Sequence, residues 1–255
     1  MLATIFQELK RWTAVSVYSV NARFADTKLR VLWLPLSNSI FIALLIGLFS
    51  KTGQQGLHHF AVYITFGYVT WMFIADTING GCNIMKSQLT LAAFHSMSIT
   101  QLFVKNTIER GYVLLINYVF FGIIIFSYGT LFFPIQIILV GLYLLFLLFT
   151  GFLLSYCFSI LVLYIPDMGR LIGNASRLLF FASPVFWVDH GGEGFRSVLV
   201  TYNPVAYYLH LGRQILGVEE ASVRVYIILF LITTVLFLLY LILRRIFEKK
   251  VWNIQ

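Results

Sequence analysis

Charge is scarce in this sequence: only 11% of its 255 residues are Asp, Glu, Lys or Arg, whereas 60% are hydrophobic. A soluble domain usually has about 25% charged and about 45–50% apolar residues. The shortage of charge therefore excludes an ordinary soluble domain and predicts a membrane protein.

Motifs for catalysis and for nucleotide binding are also missing. The sequence has neither GxxxxGK[ST], which cradles nucleotide phosphates, nor the HExxH of zinc peptidases. His95 and His210 have no acidic partner at metal-ligand spacing, and the adjacent pair His58-His59 is a weak metal site because neighbouring residues point to different helix faces. Cys82 and Cys157 are expected to be buried, inert thiols. We therefore expect no catalytic residue, no metal and no cofactor in this chain.

Carboxylates are few in the apolar segments. The ten Asp and Glu residues are expected in loops or at segment ends, and only Asp76 approaches the interior of a predicted span. A pump driven by protons or sodium normally needs ionisable groups within its helices. Any uphill transport is therefore expected to take its energy from another polypeptide.

Long apolar runs dominate the rest of the sequence. A bilayer core of about 30 Å is crossed by about 20 apolar residues in a helix. Six runs come near or exceed this length, at about 31–49, 57–78, 112–133, 135–163, 171–188 and 223–243. They predict an all-helical membrane protein with six transmembrane helices.

Lys and Arg residues mark one side of the membrane. They concentrate before the first run, between the second and third, between the fourth and fifth, and after the sixth. Because cytoplasmic loops hold this excess, both termini are predicted to be cytoplasmic. The net charge of +8 is explained by this bias and by anionic lipid headgroups, so we expect no nucleic-acid partner.

Two polar segments hold more apolar residues than a loop needs. In residues 1–30, Trp12, Phe24 and other apolar residues recur at roughly helical spacing among basic residues such as Arg23. This pattern predicts an amphipathic helix that lies flat in the membrane interface. Residues 83–111 connect the second and third spans and are rich in Leu, Phe and Ile. These side chains either cap the helix bundle or bind an external partner on the cytoplasmic side.

Four stretches carry a resemblance to a known family. They are NARFADTKLRVLWLPL at 21–36, KSQLTLAAFHSMSITQLFVKNTIE at 86–109, YIPDMGRLIG at 164–173 and YNPVAYYLHLGRQILG at 202–217. Together they resemble the transmembrane subunit of ABC-2 type transporters, in particular the branch that exports O-antigen, capsule and teichoic-acid polymers. The most specific match is Asn203-Pro204 followed nine residues after the proline by Arg213.

The resemblance implies two sets of site residues. The loop after the second span would hold a short coupling helix that docks on a separate ATPase, and the next cytoplasmic turn would add to this contact. The implied coupling residues are Ser87, Leu89, Leu91, Phe94, His95, Met97, Asp167 and Arg170. Between the last two spans, short re-entrant external helices would border the pore exit with Asn203, Pro204, Tyr207 and Arg213.

Two alternatives are open for Arg213. No acidic residue lies three or four positions away, so its guanidinium either binds a lipid phosphate or pyrophosphate or contacts carbonyls at a helix end.

Aromatic residues make up 17% of the chain. Because sugar rings stack their C–H faces on aromatic planes, an aromatic wall suits a glycan channel, although Trp and Tyr also concentrate at lipid interfaces and Phe is ordinary packing. The predicted channel residues are Trp33, Tyr63, Phe66, Tyr68, Trp71, Phe73, Phe181, Phe186 and Trp187.

The resulting hypothesis is a single transmembrane domain over residues 1–255 that works as a homodimer with two copies of a separate ATPase. ATP and Mg²⁺ would bind the ATPase, and a lipid-linked polysaccharide of O-antigen or capsule type would cross the bacterial inner membrane outward. The alternatives are an ABC-2 exporter of lipid or drug, a non-transporting membrane scaffold, and a small intramembrane enzyme.

Overall fold

A computed structural model describes residues 2–49, 56–88, 97–126, 133–188 and 194–252, and every regular element in these ranges is helical. The helices, in chain order, are α1 (Leu2–Ala22), a 3₁₀ turn (Arg30–Leu32), α2 (Trp33–Phe49), α3 (Leu57–Cys82), α4 (Ile99–Phe120), α5 (Gly122–Phe126), α6 (Phe133–Tyr164), α7 (Asp167–Ala182), α8 (Phe195–Tyr202), α9 (Pro204–Ile215) and α10 (Val223–Trp252). The predicted all-helical class is confirmed for this part of the chain.

Among the described residues, four helical segments are long and apolar enough to cross a membrane, namely Arg30–Phe49, Leu57–Cys82, Pro134–Tyr164 and Val223–Phe247. They coincide with four of the six predicted spans. The other two predicted spans, 112–133 and 171–188, have no such helix among the described residues: α4 carries charged residues in its first half, and α7 has only 16 residues. The finding supports a membrane protein with four candidate spans.

Helix α3 is the centre of the bundle. In its most apolar window 78% of the residues are buried, compared with 17% in the last candidate span, and α3 packs against α2, α4, α6, α7 and α9. A helix that is apolar on all sides must be surrounded by protein or lipid. Here the surroundings of α3 are protein, and they position the polar groups described below.

Helices α2 and α10 instead expose apolar side chains. Ile40, Leu48, Val223 and Phe230 are each at least two-thirds exposed. Large continuous apolar surface marks contact with a membrane or with another protein. These faces therefore fit a hydrocarbon environment or a partner helix.

Where the structure describes it, at 83–88 and 97–111, the predicted loop over residues 83–111 is largely helical. Residues 84–88 are helical, and α4 begins at Ile99 behind a capping box in which Ser98 and Gln101 bond each other's backbone. This pair satisfies N–H groups that would otherwise be orphaned at the helix start. Helix α4 therefore begins thirteen residues before the apolar run that starts at residue 112. A count of apolar residues does not predict this first part of the helix, because the segment is polar.

In the predicted interfacial segment 1–30, the helix ends earlier than the sequence predicts. Helix α1 ends at Ala22, and residues 23–29 form turns in which Phe24 and Thr27 donate backbone hydrogen bonds to the carbonyls of Asn21 and Phe24. Arg23 and Phe24 therefore follow α1 rather than lying within it.

Candidate functional site

The turn between α8 and α9 is fixed by one asparagine. Asn203 caps α9, because its side-chain oxygen accepts from the Val205 amide at 2.9 Å, and Pro204 occupies the first helical position. The Asn203 side-chain amide also donates to Ser183 Oγ at 2.8 Å, at the residue that ends α7. The cap thus ties α9 to the end of α7, as the sequence pattern Asn-Pro favours.

Arg213, near the end of α9, has no exposed surface. Its guanidinium carbon lies 3.3 Å from the centroid of the Tyr63 ring, and Nη2 donates to the carbonyls of Tyr63 at 3.2 Å and Val185 at 3.4 Å. Nη1 lies 3.5 Å from Glu219 Oε1. A buried charge is costly unless it is paired and hydrogen-bonded, and these contacts provide both kinds of compensation.

Glycine is needed where α3 passes this guanidinium. A Cβ atom at Gly67 would lie 2.5 Å from Arg213 Nη2 and 3.1 Å from the Val185 carbonyl oxygen. Since real Cβ contacts are longer than this, any larger residue would push the arginine or the backbone aside. Gly67 therefore provides the space that Arg213 fills.

Glu219 reaches Arg213 because the chain reverses after α9. Gly217 has a φ of 72°, in the left-handed region that favours glycine, and the amides of Val218 and Glu219 donate to the Arg213 carbonyl at 2.9 and 3.4 Å. Glu219 also bonds His210 Nδ1. The ion-pair partner thus lies six residues from Arg213 along the chain, beyond the three or four positions that the sequence was searched for.

The structure favours one of the two alternatives for Arg213. Its side chain is enclosed by α3, α9 and the end of α7 and contacts the main-chain carbonyls of Tyr63 and Val185. A lipid phosphate has no access to a group with no exposed surface. The contacts therefore assign Arg213 a structural role in joining α9 to α3.

The five predicted channel aromatics of α3 lie inside the chain. Their rings pack in the core: Phe66, for example, contacts the rings of Tyr118 and Tyr143, and Trp71 contacts Phe180. The exposed rings in the predicted channel set are Trp33 and Phe181, while Phe186 and Trp187 are half-buried. Of the α3 group, Tyr63, Phe66, Tyr68, Trp71 and Phe73 are each at most 8% exposed and act as packing residues in this conformation.

A second polar group lies towards the other end of α3. Asp76 follows Tyr63 by thirteen residues, which is about 20 Å along a helix. Its Oδ2 lies 3.3 Å from Arg110 Nε, and Arg110 Nη1 donates to Ser155 Oγ at 3.1 Å.

Glu109 is the buried carboxylate of this group. Its Oε1 accepts from Lys105 Nζ and its Oε2 from Arg23 Nη2, both at 2.7 Å. The expectation that every carboxylate except Asp76 lies in a loop or at a segment end is wrong for Glu109, which is 5% exposed in the middle of α4. Two cations share its charge, which explains why it can be buried there. We call Arg23, Asp76, Lys105, Glu109 and Arg110 the Glu109 cluster.

Helix α1 lies against α4 beside this cluster. The side chains of Ser16 and Val20 are buried, and Ser16 Oγ donates to the Lys105 carbonyl at 3.2 Å. Trp12 is half-buried, with the Arg11 guanidinium 5.6 Å from its ring centroid. Residues 2–22 form a helix, and part of it packs on protein; its predicted position in the membrane interface stays a prediction.

The predicted coupling residues fall in two groups. Leu89, Leu91, Phe94 and His95 lie outside the described residues. Ser87 is exposed, and Met97 packs partly against the core cluster around Phe103. Asp167 and Arg170 are exposed in the first turn of α7. Their proposed contact with an ATPase stays a prediction.

Residues 84–88 are held firmly against the bundle. Ile84 and Met85 are 1% exposed, and the Met85 amide donates to Ser159 Oγ at 2.9 Å. Gln88 and Asn106 join their side-chain amides at 2.9 and 3.2 Å. The apolar residues at this end of the 83–111 segment therefore cap the helix bundle, one of the two alternatives open from the sequence.

Over the residues that the structure describes, the fold is an all-helical membrane protein with polar contacts around Arg213 and around Glu109. The same residues hold no cluster of three or more His, Cys, Asp or Glu suited to a metal ion. The sequence matches no protein-family model, and no curated protein matches it.

Proposed function

We propose that this chain is the transmembrane subunit of an ATP-driven exporter, and that its cargo is a lipid-linked polysaccharide of O-antigen or capsule type. The proposal starts from the ABC-2 resemblance of four stretches in the sequence. It assigns residues 1–255 to one transmembrane domain in the bacterial inner membrane, with both termini cytoplasmic.

The observation that supports the proposal most is the pair of short helices before the last candidate span. Helices α8 and α9 have 8 and 12 residues, too few to cross a bilayer, and they meet at Asn203-Pro204, where the resemblance is most specific. Non-spanning backbone at membrane depth is tolerated only where protein buries it or water lines it. The contacts of Arg213 with Tyr63 and Val185 bury α9 against the bundle as this requires.

The proposal adds two crossings to the four candidate spans. Helices α4 and α5 follow each other through Phe121, whose amide donates to Asn117 at 2.9 Å and whose carbonyl accepts from Ile125 at 2.9 Å. Helix α7 has 16 residues, about 24 Å of helix. With α4–α5 and α7 as short or tilted crossings, the chain has six spans and both ends on the same side.

In the proposed mechanism two chains form a homodimer around a pore, and two ATPase subunits bind below it. ATP binding with Mg²⁺ closes the ATPases, and their movement enters through residues 83–110 and the turn at Asp167. The two chains then separate to let the glycan pass. Exposed apolar faces on α2 and α10 are available for lipid or for the second chain.

Purification of the tagged full-length chain from its own membrane tests the class of protein. We expect an ATPase with a phosphate-binding GxxxxGK[ST] motif to copurify in a 1:1 ratio, and a glycan-bearing lipid to stimulate its ATP hydrolysis. An exporter of lipid or drug would retain the ATPase but respond to those compounds instead. A chain that purifies without any ATPase under conditions that preserve its fold would contradict the proposal and favour a scaffold or an intramembrane enzyme.

A further inference from the structure

A cavity of about 300 Å³ lies where the end of α1 meets α2, α3 and α4. Its walls include the charged side chains of Arg23, Asp76 and Arg110 and the amides of Asn38 and Asn117. Two other cavities, of about 630 and 240 Å³, are lined almost wholly by apolar side chains. We call the 300 Å³ cavity the polar crevice.

Charged groups lie at one end of the polar crevice. Asp76 is six residues before the end of α3 at Cys82, and its side chain is 62% exposed although its Oδ2 lies 3.3 Å from Arg110 Nε. The Arg23 side chain is 60% exposed as well. Because an exposed ionised group needs water rather than hydrocarbon around it, this end of the crevice opens to the aqueous side on which α3 ends.

The amides lie deeper, near the middle of two candidate spans. Asn38 is the ninth of the 20 residues in Arg30–Phe49, and Val69, which also lines the crevice, is the thirteenth of the 26 in Leu57–Cys82. Seven residues separate Val69 from Asp76, which is about 10 Å along a helix. The polar crevice therefore extends from its charged end to about the middle of the bilayer.

One amide oxygen at this depth is free to bond a ligand. Asn38 Nδ2 donates to Asn117 Oδ1 at 2.8 Å, and Asn117 Nδ2 donates to the Val113 carbonyl at 2.8 Å. Among the described residues, no donor bonds Asn38 Oδ1. Polar side chains within a membrane either bond neighbouring helices or line a water-filled path for a substrate. The unused acceptor of Asn38 and the exposed charges at the other end favour a path.

The mixture of groups in the crevice suits hydroxyls more than ions. An anion would meet the exposed Asp76 carboxylate, and a cation would meet the guanidiniums of Arg23 and Arg110. A hydroxyl group both donates and accepts hydrogen bonds, so it can bond a carboxylate, a guanidinium or an amide. Apolar side chains such as Val69 and Phe73 form the rest of the wall and can cover the C–H faces of a sugar ring.

We propose that the polar crevice is filled with water and takes hydroxyl groups of the glycan cargo from the side on which α3 ends. The inference rests on the proposed export function, and it makes Asn38, Asp76 and Asn117, instead of the buried aromatics of α3, the groups that contact the cargo. The volume, at the low end of about 300–1,000 Å³ for ligand pockets, suits a short segment of a glycan chain.

Thiol labelling tests whether water reaches the deep end of the crevice. Ser37 lines the crevice and is exposed, so Ser37→Cys places a thiol there with little change in size. Inverted membrane vesicles expose the predicted cytoplasmic side, and a charged methanethiosulfonate reacts with thiols that water allows to ionise. We expect Ser37→Cys to react at least tenfold faster than Val235→Cys, the control, which is 56% exposed in the middle of the apolar span Val223–Phe247.

The cargo is tested with lipid-linked polysaccharide extracted from the source cells. We expect it to slow the labelling of Ser37→Cys at least threefold, and phosphatidylglycerol at the same concentration to have no effect. In cells, Asn38→Ala should reduce the rate of export about fivefold at a normal protein level, as the loss of one hydrogen bond to the cargo implies. Ser39→Ala is the control, because the Ser39 hydroxyl donates to the Pro35 carbonyl and does not line the crevice.

Three results would overturn the inference. Equal labelling of Ser37→Cys and Val235→Cys would show that the deep end is dry, and labelling that the polysaccharide does not slow would exclude the cargo from the crevice. A wild-type export rate in Asn38→Ala would leave the Asn38–Asn117 bond a role in helix packing alone. If Asn38→Ala does not fold, the labelling of Ser37→Cys decides. Failure of the wild-type chain to export polysaccharide would instead contradict the proposed function, and the labelling rates would still show whether the crevice is wet.

Discussion

Arg213 connects segments that lie far apart in the sequence. Its guanidinium covers the Tyr63 ring, contacts the Val185 carbonyl and pairs with Glu219, while Gly67 leaves the space for it. Each of these contacts compensates part of the cost of burying a charge. The stability of the bundle should therefore depend on the partners of Arg213 as well as on Arg213 itself.

Replacing Glu219 by Gln should destabilise the protein, because it leaves the Arg213 guanidinium buried without a counter-charge. Removing one partner of a buried pair costs about 3–5 kcal/mol, and the partial exposure of Glu219 favours the lower end. The free energy of unfolding in detergent micelles measures the change. Glu220→Gln, at the exposed neighbour, should change stability by less than about 0.5 kcal/mol. Equal stabilities of the two variants would argue against a structural role for this ion pair.

Replacing Gly67 by Ala should destabilise the protein by about 1–3 kcal/mol, the usual cost of overpacking. The added Cβ would meet both Arg213 and the Val185 backbone. Gly141→Ala is the matched control, because no atom lies within 4 Å of its added Cβ and alanine is the better helix former. The midpoint temperature of thermal unfolding should therefore decrease for Gly67→Ala and stay unchanged or increase for Gly141→Ala. A change of the same sign in both variants would contradict the packing described.

Part of this residue-level picture could be predicted from the sequence. Asn203 and Pro204 act locally, as cap and first helical residue, and local patterns are visible in a sequence. The Arg213–Glu219 pair depends on the reversal at Gly217, and the Arg23–Glu109 pair joins residues 86 apart. No spacing rule finds such contacts, because the packing of whole helices brings them together.

At the scale of the elements, α1 packs along α4, and two polar contacts join the two helices. Glu109 binds Arg23 just after α1, and Ser16 bonds the Lys105 carbonyl. The sequence predicts the amphipathic character of α1 from its pattern. The sequence does not predict that α1 packs against the first half of α4. That half begins behind the capping box at Ser98 and lies outside every apolar run, so a search for apolar runs does not identify it as helix.

Replacing Glu109 by Gln should loosen α1. Arg23 loses its partner, Lys105 becomes a buried cation without a carboxylate, and hydrogen exchange of amides 10–22 should become about tenfold faster or more. Asp26→Asn is the control, since it makes the same charge change at an exposed residue after α1. Unchanged exchange in the Glu109 variant would indicate that apolar packing alone holds α1.

At the scale of the whole molecule, apolar length and helical structure agree for four segments. Runs of hydrophobic residues predict these spans well because a helix satisfies its own backbone and needs only apolar side chains in lipid. Helices α4 and α7 are less easily identified, because buried charge in α4 and the short length of α7 depart from that simple pattern. A six-span topology is accordingly part of the proposal.

The topology can be tested with single cysteines. The distribution of Lys and Arg predicts that residue 87 is cytoplasmic and residue 193 external, so Glu193→Cys should react with an impermeant thiol reagent in intact spheroplasts and Ser87→Cys only after lysis. The parent chain is the control, because its two cysteines are buried. Labelling of Ser87→Cys but not of Glu193→Cys in intact spheroplasts would contradict the predicted topology and indicate the opposite orientation.

The most direct test of the proposed function is the location of the glycan in cells that lack this chain. Cell-surface polysaccharide and lipid-linked polysaccharide on the inner side of the membrane are measured in the deletion strain and after expression of the wild-type chain. The account predicts that polymer disappears from the surface, that lipid-linked polymer accumulates inside, and that the wild-type chain reverses both changes. Normal surface polymer in the deletion strain, with no accumulation inside, would contradict export of polysaccharide by this protein.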